Sequence, residues 1–180
     1  MELIIQSIER SLSAKAWHCS LMAALALPDI CARIDNGASK TSGKLLYATW
    51  FEEYIGPRYK SLSPKIDLNA PVEQRVKFPL EMEENVFLSG KDCYSLRCAV
   101  LHEASDDTGK NKPEKITKFQ FVGSESGAVI HCNRAQSMLQ LDVHIFCTDI
   151  IAGVRKWLKS IEGSKEKTDE VDSLFTITIV

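Results

Sequence analysis

Two residues near the middle of the chain bring together a permanent cation and a group that titrates near neutrality. They are Arg97 and His102, set among apolar neighbours in the stretch LSGKDCYSLRCAVLHEAS, residues 88–105. Ser89, three positions before Asp92, resembles a capping box with Asp where Glu or Gln is usual. A helix is expected to begin there and run through Tyr94, Leu96, Cys98, Val100 and Leu101. On a straight α-helix, side chains spaced like Arg97 and His102 point about 140° apart. A shared cleft therefore requires a reaching Arg, a distorted helix, or two copies of the helix meeting across a dimer axis, where two Arg and two His would line one groove. The plainer alternative is that Arg97 caps the helix or pairs with acids, while His102 is a hydrogen-bonded residue favoured by the helix C-terminal dipole.

Other pairings are less complete. Cys98 and His102 stand four apart on one helical face and Cys93 lies five before Cys98, yet four ligands cannot be assembled, so no metal and no cofactor are expected. A nucleophilic Cys98–His102 pair would need a third, orienting group. His18-Cys19 and His131-Cys132 are adjacent residues that normally point apart. Asp29 follows Pro28 and reads as a cap or first-turn charge; the functional alternative is that its carboxylate orients His102 or Arg97 from across a bundle.

The elements that must hold these residues are mostly helical. Apolar residues from Ile4 to Ala26 recur at three and four residue intervals, with an interruption possible at Ser11 or Ser13, and AKAWHCSLMAALAL is apolar nearly all round, as a central helix would be. Pro28 is expected to force a boundary and start a short helix over PDICARID. Thr41 or Ser42 should cap a helix from about Gly43 to Ile55 that buries Leu46, Trp50, Phe51 and Tyr54. Residues 58–88 contain three prolines and little periodicity, and read as a long connection. The period then changes: ITKFQFVG and AVIHC predict a β-hairpin near 116–132, and helical spacing returns from about Leu139 to Ile161. The charged segment near 162–173 reads as flexible, and LFTITIV as a C-terminal strand over 174–180 that joins the hairpin sheet.

With 180 residues, one domain spanning 1–180 is expected, mainly α with a small antiparallel β element. A net charge of -2 argues against a general attraction to polyanions, so any nucleic-acid site must be local. No apolar run reaches the roughly 20 residues needed to cross a bilayer, and the six scattered cysteines suit reduced, buried thiols; a soluble, cytoplasmic protein without a membrane partner is expected.

The segment YSLRCAVLHEAS resembles the signature of the higher eukaryotes and prokaryotes nucleotide-binding (HEPN) family, in which Arg, four to six residues and His lie on a late helix of a small bundle. Here these are Arg97, CAVL and His102. ALALPDICARID and YATWFEEYI resemble the supporting helices of a bacterial branch, and the likeness covers about the first two thirds of the chain. The resemblance implies a HEPN-like bundle and a metal-independent endoribonuclease acting as a homodimer, of toxin–antitoxin or phage-defence type. His102 would then activate the ribose 2′-hydroxyl or protonate the leaving oxygen, and Arg97 would hold the phosphate. A toxin would have an antitoxin or other protein partner, and the resemblance also admits non-catalytic members that bind nucleotides or protein partners. Cys98 departs from the pattern, since active members frequently carry a polar residue after the Arg.

Overall fold

In the computed structural model, residues 1–37, 41–66, 69–74, 79–111, 113–123 and 127–177 are described. The chain is mainly helical. Helix α1 spans Glu2–Ser13 and α2 spans Trp17–Asn36, separated by a break at Lys15, whose φ is +56°. The expected interruption of the first helical face is therefore realised just beyond Ser13.

Helix α2 is the central element, packed against α1, α3 (Gly43–Tyr54) and α5 (Val143–Ile161). Its all-round apolar surface requires such a position. Pro28 does not break it. That expectation is corrected: the helix runs through Pro28, and the hydrogen bond Pro cannot donate is offset because both sides of it are buried, through Ala24, Leu25 and Leu27 before it and Cys31, Ala32 and Ile34 after it. Helix α3 starts as expected, with the Ser42 hydroxyl accepting from the Leu45 N–H. It buries Trp50 and Phe51, and Trp50 meets Trp157 of α5 edge-on at 6.4 Å. One apolar cluster extends from Ile5 to Ile161.

Residues 58–88 contain more order than their prolines suggest. After a 3₁₀ turn at Gly56–Tyr59, β1 (Lys60–Pro64) pairs antiparallel with β2 (Met82–Val86). Helix α4 (Gly90–Cys98) follows and continues into a π-helical turn, Ala99–Glu103. Gly90 is required at its start, because a Cβ there would stand 2.4 Å from the Ala48 carbonyl oxygen of α3.

The hairpin predicted near 116–132 takes another form. β3 (Lys118–Val122) is a strand, but it runs parallel to β5 (Met138–Asp142), and β5 also pairs antiparallel with the short β4 (Asn133–Ala135), in the order β3-β5-β4. AVIHC forms no strand: it has no buried face, with Val129 69% exposed, whereas Leu139 and Leu141 are fully buried around Gln140. The predicted last helix accordingly starts later, where the Asp142 carboxylate caps α5 by accepting from the Ile145 N–H. The segment near 162–173, expected to be flexible, holds α6 (Lys165–Asp172), tied to α2 by the Lys167–Asp35 ion pair. Leu174–Ile177 form no strand; the rest of the strand expected over 174–180 lies outside the described residues. Among the described residues, no helix is long and apolar enough to cross a membrane.

Candidate functional site at the end of helix α4

Helix α4 is fixed at its N-terminus before it presents anything at its C-terminus. The Ser89 hydroxyl accepts from the Asp92 N–H, as the capping pattern predicts, and it also donates to Asp92 Oδ2. Asp92 Oδ1 accepts from the N–H groups of Glu114, Lys115 and Ile116 at 2.6, 2.9 and 3.2 Å. The chain leading into β3 is thus pinned to the helix.

At the other end the helix widens. A π-helical turn closes its hydrogen bonds one residue later than an α-turn, which brings residues five apart onto a common face. Ala99 and Val100 stay buried while His102 is turned outward. Arg97 Nη1 then lies 3.0 Å from His102 Nε2. Of the three ways to reunite these residues, the distorted helix is the one found. The turn ends on Ala104, held in the left-handed region at φ +49°, with the Ala104 and Ser105 N–H groups both returning to the Ala99 carbonyl. A residue with a Cβ in that conformation carries about 1–2 kcal/mol of strain.

Asp29 completes the group. Its Oδ2 lies 3.3 Å from Arg97 Nη2 and 3.6 Å from Arg33 Nε, so the carboxylate orients Arg97 from α2. It makes no contact with His102 among the described residues. Arg97 and Asp29 are 19% and 18% exposed, so the ion pair is poorly solvated. Arg97 Nε is buried without a partner. A guanidinium can only donate, so His102 Nε2 takes the Arg97 contact with its lone pair and the ring proton resides on Nδ1.

Cys98 is half-buried and carries a free thiol. It stands beside Tyr94 rather than with His102: burial chiefly raises the Tyr94 phenol above its ordinary pKa, Cys98 adds to this, and Arg97 opposes it. Tyr94 meets the buried Tyr47 edge-on at 5.6 Å, an aromatic wall behind Arg97 that the spacing of charged residues gave no reason to expect. Among the described residues, no three His, Cys, Asp or Glu side chains are arranged to hold a metal ion.

A second polar group lies elsewhere. The buried Tyr59 hydroxyl donates to Asp149 Oδ2 at 3.2 Å, Arg58 Nη1 lies 3.4 Å from Asp149 Oδ1, and the His131 ring packs 5.6 Å from Tyr59. Burial raises the Asp149 pKa against the pull of Arg58, and burial lowers that of His131. His18 and His144 are exposed.

Comparison with known proteins finds no matching family model, no matching characterised protein and no matching solved structure.

Proposed function

We propose that the chain is a metal-independent endoribonuclease of HEPN type, working as a homodimer with Arg97 and His102 at the interface. The observation that carries this reading is the 3.0 Å approach of Arg97 Nη1 to His102 Nε2 across the π-helical turn, with Asp29 orienting the guanidinium. An RNA phosphate entering beside Arg97 takes over its donors and releases the His102 lone pair. Nε2 then removes the proton from the ribose 2′-hydroxyl, whose oxygen attacks the phosphorus as negative charge builds on the non-bridging oxygens next to Arg97. The 5′-oxygen leaves and takes up a proton, which the second His102 of a dimer can supply when its ring enters the step as the imidazolium, released from Arg97. The products are a cyclic phosphate and a 5′-hydroxyl. A toxin or phage-defence role, with an antitoxin or other protein partner, accompanies this reading.

A non-catalytic nucleotide-binding or protein-interaction module is the second reading. It is favoured by the fact that both terminal nitrogens of Arg97 already have partners within the chain. The two are separated by RNA cleavage in EDTA. Wild type should cleave and His102→Ala should lose at least about a hundredfold in rate, the usual scale of general base catalysis. Cleavage abolished by EDTA, or an equally active His102→Ala, rules out the ribonuclease; an intact dimer that binds nucleotide without turning over RNA selects the second reading.

A further inference from the structure

Next to the Arg97–His102 pair, the same π-helical turn forms one wall of an open cleft of about 620 Å³, within the usual range for a small-ligand site. The opposite wall is α2 and the floor is the end of β3. Two of these elements, β3 and α2, are held in close approach at one point: Gly123, just after β3, sits against the Trp17 indole so tightly that a Cβ would stand 2.6 Å from Nε1. Met22 of α2 is 39% exposed, the nearly buried Val100 of the turn reaches the cleft, and Phe121 of β3 is half-buried in its lining. The fully buried Phe119 packs parallel to Phe121 at 6.4 Å and fixes the plane of its ring. Two carboxylates and the exposed His18 of α2 add polar groups to the lining. Glu103 is touched at 3.5 Å by the Asn111 amide through one oxygen, and the Asp106 side chain makes no hydrogen bond or ion pair among the described residues.

The cleft and the pair lie along one face of α2. Met22 and Asp29 are seven residues apart on α2, hence on the same helical face and separated by about 10 Å along the axis. That is the reach of a nucleotide from its phosphate to the far edge of its base. An apolar slot with a fixed aromatic plane suits a planar base, since stacking on an aromatic ring accepts any base. The carboxylates reject phosphate and accept hydrogen bonds, so they select a base edge rich in N–H donors. Guanine offers adjacent ring and amino N–H groups that match the two oxygens of one carboxylate, whereas the uracil edge turns carbonyl oxygens toward it.

We infer that this cleft is a base-binding subsite for a guanine flanking the phosphate at Arg97, an inference that rests on the ribonuclease reading for its choice of RNA. Its test is the ¹³C-methyl signal of Met22 in the full chain, titrated with GMP, CMP, AMP and UMP. GMP should shift the methyl saturably and bind at least about tenfold more tightly than UMP, as one well-paired carboxylate allows. Phe121→Leu should weaken all four by about tenfold through lost stacking. The double variant Glu103→Gln with Asp106→Asn should erase the preference for GMP over UMP. No Met22 shift with GMP, or equal affinity for UMP, overturns the subsite. Because the readout needs no turnover, GMP binding by a chain that cleaves no RNA retains the subsite and rejects only the ribonuclease, while RNA cleavage without a Met22 response does the reverse.

Discussion

The two ends of α4 carry polar side chains of opposite fate. At the N-terminus Asp92 is 1% exposed and its oxygens are occupied by three backbone N–H groups and the Ser89 hydroxyl. At the C-terminus His102 is exposed and its Nε2, among the described residues, is engaged only by a cation that a ligand can draw away. A charge that is fully satisfied inside the fold holds structure together. A polar group that is half satisfied at the surface stays open to a ligand.

The contrast is broken most severely at the closed end. Asp92→Ala leaves several donors without their acceptor and should cost about 3 kcal/mol or more of stability in chemical denaturation, while His102→Ala should stay within about 0.5 kcal/mol of wild type. Equal losses for the two variants would remove the distinction. Asp29→Asn lies between them. It keeps the shape but weakens the hold on Arg97, so stability should fall by about 1 kcal/mol and RNA cleavage by about tenfold. An unchanged cleavage rate would mean that Arg97 needs no orienting carboxylate.

The smallest effect is expected at the Tyr59–Asp149–His131 group, where only Tyr59 is fully buried and Asp149 and His131 are partly so. Burial holds the His131 pKa below its ordinary 6.5, so the folded chain binds fewer protons than the unfolded one in the window just beneath that value. Stability from this residue is therefore present above 6.5 and is lost as pH falls through the window. Asp149 acts in the opposite sense, its raised pKa lowering stability as pH rises through the range above 3.8. His131→Phe keeps a ring against Tyr59 and should flatten the decline in stability between neutral and mildly acidic pH. A decline as steep as in wild type would assign it to other groups.

Local rules located most of what supports the site. Ser89 and Ser42 cap helices because a hydroxyl before an apolar run has free N–H groups to meet, and α5 follows its apolar periodicity. The exceptions are places where tertiary burial overrides a local preference. Pro28 sits inside α2 in a stretch buried on both sides of it, and Leu139–Gln140–Leu141 pairs as a strand although it adjoins a helical pattern. Arg97, His102 and Asp29 were recognisable by type, but their convergence was not. A spacing of five conflicts with 3.6 residues per turn, and only the π-helical widening at Ala99–Glu103 resolves it. The cleft beside them depends on β3 meeting the start of α2, a contact across about a hundred residues that periodicity cannot report.

The pairing itself is open to direct observation through the imidazole nitrogens. Long-range ¹H–¹⁵N correlation on His102 at a pH where the ring is neutral distinguishes the two tautomers. With Nε2 accepting from Arg97, the wild-type ring should carry its proton on Nδ1, and Arg97→Ala should return it toward the Nε2–H form that a free imidazole side chain prefers. A wild-type ring already in the Nε2–H form, unchanged by Arg97→Ala, would contradict the pair on which the site is built.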